Sequence, residues 1–167
     1  MEVKLKKLKQ GARLPEKATA GSAAYDLYVP EDTVVKPGRC IVPLNFALEI
    51  PEGYEALIDA RSGFSAKGME GYECGHATDP DDGSDVRVTK LDSERFDCDV
   101  IEGKIDSDYR GNVGVIVHNR DRKTFMLKAG TRIAQMTFHK VETVSWKEVE
   151  ELTETERDGG FGSTGTK

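Results

Sequence analysis

Four short stretches of the 167-residue chain bring together residue types able to handle an anionic substrate. Arg61-Ser62-Gly63 follows an apolar run and offers a guanidinium, a hydroxyl and backbone amides at one corner, a set suited to phosphate oxygens. Taken alone, it reads first as a Ser-Gly cap on a short helix. Gly103-Lys104-Ile105-Asp106-Ser107-Asp108-Tyr109-Arg110-Gly111 has the pattern of a β-hairpin with a polar tip between Ile105 and Tyr109. One of its carboxylates could act as a base and the Tyr as a platform for a ring, although Asp and Ser are also ordinary turn residues. Residues 130–136 place Arg132 and Gln135 on an apolar strand. Strict alternation puts Ile133 and Gln135 on one face and Arg132, Ala134 and Met136 on the other. The run 157–165 spaces its glycines so that amides are free for phosphate oxygens. Its one aromatic, Phe161, is unusual for a tail of otherwise flexible composition and suggests a ring that docks onto something.

Such residues need a frame, and the frame reads as all-β. Val3, Leu5 and Leu8 open a first alternating stretch. Val34-Val35 leads to a turn at Pro37-Gly38, 41–50 reads as a strand or bent strand pair, and Pro51-Glu52-Gly53 turns into a strand over 54–58. Strands follow over 111–117, 124–127 and 133–138. Turns recur at the spacing of a sandwich or barrel. A short helix is expected after Gly63 and another near Trp146. Residues 68–95 are polar and read as a long surface excursion within a single domain spanning 1–155, and 156–167 read as a flexible glycine-rich arm.

Hydrophobic residues make up 37% of the chain, a lean supply that points to burial between subunits. The net charge of -6 argues against a nucleic-acid partner, which calls for a basic face, but not against a small anion. Cys40, Cys74 and Cys98 are too few and odd in number for a disulfide scaffold. With no signal-like or membrane-spanning run, a cytoplasmic location and no membrane partner are expected. Cys74, His76 and Cys98 lack the paired spacing of a zinc site. Asp79, Asp81, Asp82 and Asp85 resemble a cation loop only loosely. His118 and His139 fall in strand patterns, as packing or surface residues.

In order along the chain, five pieces closely resemble the motifs of the trimeric dUTPase family: Ala24-Tyr25-Asp26-Leu27, Arg61-Ser62-Gly63, the 103–111 run, the 130–136 run and the 157–165 tail. The resemblance implies a jelly-roll-like β-barrel of the β-clip kind, a homotrimer with an exchanged C-terminal arm, and active sites shared by three chains. One subunit would supply the third motif, another the second and fourth, and the third subunit the tail. The implied reaction is hydrolysis of dUTP to dUMP and pyrophosphate with Mg²⁺, which limits uracil in DNA and supplies dUMP for thymidylate synthesis.

The implied roles follow residue by residue. Asp106, selected by the Ile-Asp-x-x-Tyr pattern, is the general base that aims water at the α-phosphorus. Asp26 holds Mg²⁺ through water. Arg61, Ser62, Gly63 and Gln135 contact phosphates or orient the water. Main-chain groups around Gly103, Ile105 and Gly114 read uracil, and Tyr109 closes off the 2′-hydroxyl. Arg157 clamps the γ-phosphate, Phe161 stacks on the base, and Gly162, Ser163 and Thr164 close over the phosphates. The 68–95 excursion departs from the family pattern, either as a tolerated insertion or as a lid or protein-partner element. Two rivals remain: a related dCTP deaminase, which would release ammonia from dCTP, and a regulatory binding protein acting through the excursion.

Overall fold

The computed structural model describes residues 1–78 and 83–155. The tail residues Arg157, Phe161, Gly162, Ser163 and Thr164, and Asp79, Asp81 and Asp82, lie outside the described residues.

Fourteen strands and one six-residue helix make up the described chain. Four strands form the sheet that carries the site. They are β2 (Tyr25–Tyr28), β6 (Tyr54–Asp59), β11 (Gly103–Ile105) and β14 (Arg132–Lys140), in the order β11-β6-β14-β2. Beside it, β10 (Cys98–Ile101), β12 (Gly114–Asn119) and β4 (Gly38–Pro43) pair in that order, and β1 (Lys4–Lys7) pairs with β5 (Phe46–Glu49). A fourth sheet runs β3 (Thr33–Val35), β13 (Thr124–Leu127), β7 (Met69–Thr78), β8 (Asp85–Thr89), with β9 (Glu94–Phe96) also on β7. Every pairing in these sheets is antiparallel. This is the all-β, barrel-like architecture expected.

Alternation explains the core. Along β12 and β13 every second side chain is buried, so Val115, Val117, Phe125 and Leu127 point inward. They meet Phe46, Leu44, Val42 and Ile133 in a single apolar cluster. Phe96 and Phe125 stack nearly parallel at 4.2 Å between ring centroids, a contact that adds to their burial.

Two expectations fail here. The 68–95 stretch is not wholly a surface excursion. Met69 is fully buried, Tyr72, Glu73 and Cys74 are ladder partners of β13, and Met69 pairs with the buried Phe96. Only the outer β7–β8 hairpin projects. The few apolar residues in this polar run mark its ends as core, and their wide separation hides that in sequence. The second helix, near Trp146, is absent: residues 141–155 form no regular element, and Trp146 is 93% exposed. A single turn of helix with no surface to pack on is not stable in water.

The projecting hairpin is tied down at its stem. Lys90 and Lys123 each contact both Glu73 and Glu94 at 2.6–3.4 Å. The hydrogen bond from Lys123, with that from Lys90, holds the Glu73 carboxyl down to about 2. Below the stem the packing is close. A Cβ added at Gly71 lies 2.4 Å from the Phe125 ring, and that ring is held by its stack on Phe96. Gly71→Ala is therefore expected to destabilise the protein by about 1–3 kcal/mol through overpacking, read as a lower urea midpoint at unchanged slope.

Candidate active site

Register brings three of the sequence clusters to one place. Gln135 on β14 is the ladder partner of Asp26 on β2 and of Asp59 at the end of β6. Just beyond Asp59 the chain turns through Arg61 into α1 (Ser62–Lys67). Arg61 itself occupies the N-cap position with an extended backbone and makes no side-chain cap bond. Ser62 is thus the first helical residue and not the cap, and it lines the cleft. The helix ends at Gly68, whose φ of 74 and close approach to the Phe96 carbonyl, 2.5 Å from an added Cβ, suit glycine alone.

Asp26 is 8% exposed and is held from two sides. Arg61 Nε donates to its Oδ1 at 2.9 Å, and Arg132 Nη1 donates to its Oδ2 at 3.2 Å. A nearly buried carboxylate survives only with such partners. The contact also fixes Arg61 at the mouth of a cleft of about 380 Å³, lined by Asp26, Arg61, Ser62, Gly63, Gln135 and Thr137 among others. The strict alternation expected for β14 is broken by a bulge between Arg132 and Ala134. Ile133 and Ala134 are both fully buried, and Gln135 with Thr137 faces the cleft. An extra residue in one strand is what re-aims side chains in this way.

The 103–111 run is not a tight hairpin. Its outer ladder, β10 against β12, closes at Ile101 and Ile116. Beyond that point the chain diverges, and Gly103–Ile105 pairs with β6 instead. The result is a wide loop between the two arms. Ile105 is 6% exposed and packs into the core, so its side chain cannot face a ligand. Only its main chain remains available. Asp106 is exposed and begins a turn in which Tyr109 N–H donates to its carbonyl at 3.1 Å. The Tyr109 hydroxyl donates to the Asn112 carbonyl at 3.1 Å. The ring lies over Gly111, where an added Cβ would sit 2.3 Å from the phenolic oxygen. Gly114 is packed against Ile41, while Gly103 has open space on its Cβ side.

Within one chain the two halves do not meet. Ile105 is level with Ala56 on β6, and Gln135 is level with Asp59. Asp106, one residue beyond Ile105, therefore lies about four residues, or roughly 13 Å, further along the sheet than the cleft. It borders Glu52, Tyr54 and Glu55 instead. Arg132 as the second partner of Asp26 was missed in the sequence; the signal was a charged residue inside an otherwise apolar strand. His118 is half-buried and His139 is exposed, neither in the cleft. Cys74 bonds Tyr72 and Thr89, and Cys98 bonds Asn119. Among the described residues no three metal-ligating side chains are placed to hold an ion.

The chain resembles known proteins in sequence and in fold. A family model described as dUTPase matches residues 10–78 and 95–165, which takes in β7 and leaves out 79–94. Deoxyuridine 5'-triphosphate nucleotidohydrolases from Hydrogenobaculum sp. and Anaplasma marginale are 41% and 39% identical, over 100% and 99% of both chains. Among solved structures, a Staphylococcus bacteriophage 80alpha dUTPase with dUpNHpp superposes with a TM-score of 0.75 at 26% identity, covering 98% of each chain. The dUTPase of S. aureus phage phi11, in which a structural Mg(II) ion is coordinated, matches in fold with a TM-score of 0.68 at 24% identity, covering 90% of this chain and 98% of that one. By motif order, by full-length identity and by fold, the chain belongs to the dUTPase family.

Proposed function

We propose that this chain hydrolyses dUTP to dUMP and pyrophosphate, in sites that two or more copies complete together. The observation that carries this reading is the separation of the parts. One end of the sheet holds Asp26, Arg61, Ser62, Gly63 and Gln135 around a cleft, and the other exposes Asp106 and Tyr109. A threefold assembly that sets one end against the other would join them. The exposed apolar residues Val144, Trp146 and Leu152, on a segment with no regular element, support an arm that crosses to a neighbouring copy.

In this reading Asp106 takes a proton from a water as the water oxygen bonds to the α-phosphorus. The bond from that phosphorus to the bridging oxygen breaks, and pyrophosphate leaves. Arg61, the Ser62 hydroxyl, the Gly63 amide and Gln135 hold phosphate oxygens and the water, so catalysis comes chiefly from placement and charge. Uracil is read by main-chain groups of the wide loop near Gly103, Ile105 and Gly114, where cytosine would leave buried groups unpaired. The Tyr109 ring bounds the sugar and refuses a 2′-hydroxyl. Arg157, Phe161, Gly162, Ser163 and Thr164, outside the described residues, are assigned to closing over phosphates and base.

The residues around the cleft fit a hydrated Mg²⁺. Both oxygens of Asp26 are already engaged by guanidinium groups, and no cage of three ligating side chains stands among the described residues. The donor set suits a hydrated ion carried by the phosphates and touched by Asp26 through water. When bound, the ion would neutralise charge on the phosphate oxygens.

Pyrophosphate release from dUTP, compared with dTTP, dCTP and UTP, tests the assignment. Activity on dUTP alone is expected, with Asp106→Asn slower by about 10²–10⁴-fold. Ammonia from dCTP would instead favour the deaminase. Shared sites have their own signature. Asp106→Asn and Arg61→Ala chains, each inactive alone, should regain about a quarter of wild-type activity when co-refolded in equal amounts, since each site then draws two sound halves by chance. No recovery would refute sharing. We assign the outer hairpin no part in hydrolysis. Replacing residues 76–87 with an Asn-Gly turn should leave kcat/KM for dUTP within about twofold. A larger loss would mark a lid, and a partner lost with the hairpin would mark a second role.

A further inference from the structure

Asn45, in the bend between β4 and β5, is the one non-glycine residue at positive φ (60) among the described residues, and it is 1% exposed. Left-handed backbone suits glycine better than asparagine, and a buried amide carries a desolvation penalty. Backbone conformation alone does not account for the side chain, but its contacts do. Its Nδ2 donates to Glu31 Oε1 at 3.3 Å. A carboxylate only accepts, so Oδ1 is turned the other way, where it receives Asn112 Nδ2 at 3.5 Å. The main chain of the same bend grips the next residue from both sides: Leu44 N–H donates to the Val113 carbonyl and Val113 N–H to the Phe46 carbonyl, each at 2.8 Å.

Asn112 is the residue whose carbonyl receives the Tyr109 hydroxyl. The outer end of the Tyr109 ring is thus anchored on Asn112, and Asn112 is in turn contacted by Asn45 beside the anchored Val113. We propose that Asn45 is a positioning residue for Tyr109 and so determines how strictly a ribonucleotide is refused. The chain Glu31–Asn45–Asn112–Tyr109 runs from the surface, through a buried amide, to the ring. Loosening its middle lets the ring recede and makes room for a 2′-hydroxyl. The inference rests on the reading of Tyr109 as the boundary of the sugar pocket.

The test compares kcat/KM for dUTP and UTP in wild type, Asn45→Gly, Asn112→Ala, the double variant and Tyr109→Ala, with Tm for each. Glycine keeps the left-handed bend and removes only the amide. Asn45→Gly is expected to lower the dUTP-to-UTP ratio roughly fivefold, the value of one ordinary hydrogen bond. Asn112→Ala should do the same, and the double variant should add nothing further. Asn112 is exposed, so its variant carries the test even if Asn45→Gly does not fold. A lower Tm with an unchanged ratio overturns the proposal, leaving Asn45 a purely structural residue. An unchanged ratio in both asparagine variants beside a collapsed ratio in Tyr109→Ala also overturns it while the sugar-boundary reading stands. An unchanged ratio in Tyr109→Ala removes that reading, and the proposal with it.

Discussion

A carboxylate with one guanidinium on each oxygen organises the candidate site. Asp26 sits nearly out of water on β2, and its charge is matched by Arg61 from the end of β6 and Arg132 from β14. Three strands that are neighbours in the sheet are thus also joined through charge, at the level where the cleft opens. Taking an ion out of water is costly unless it is paired and well oriented, and Asp26 has two such partners. Removing Asp26 leaves both guanidinium groups without their shared carboxylate, whereas Asp26 keeps one partner if either arginine is lost. The pairing also takes up one acceptor position on each Asp26 oxygen and leaves the other lone pairs of the carboxylate unassigned to any guanidinium.

What could be read in the sequence followed a physical rule: local signals were visible and non-local ones were not. Arg61-Ser62-Gly63 could be placed because a glycine-containing corner after an apolar run is a local pattern. The helix after it formed as expected. Gln135 was expected to take part in the site and does line the cleft, but its orientation depends on a bulge between Arg132 and Ala134, which no alternation count reveals. The 103–111 run looked like a tight hairpin because its turn chemistry is that of one. Its first arm nevertheless leaves the expected partner and pairs with β6, a choice made by residues nearly fifty positions away. Arg132 as a partner of Asp26 is likewise a contact across the sheet. The one helix expected near Trp146 rested on a weak local pattern with nothing to pack against.

The stretch between α1 and β9 shows how one ladder can run from the core into solvent. Its roots are core: Met69 and Phe96 are ladder partners inside the protein, and the Phe96 ring stacks on Phe125. Its outer part extends the same ladder into solvent, with Lys90 and Lys123 bridging the two glutamates at the stem. Added length in such a position costs little in closure entropy. The family model resumes at residue 95, where the ladder re-enters the core.

Trp146 is the sole tryptophan of the chain, and it stands almost fully exposed on the segment that follows β14. The near-ultraviolet emission of this protein therefore has a single indole source, located on that segment and nowhere in the barrel. Whatever covers the segment will shift that light, and whatever disturbs only the barrel core will leave it nearly unchanged.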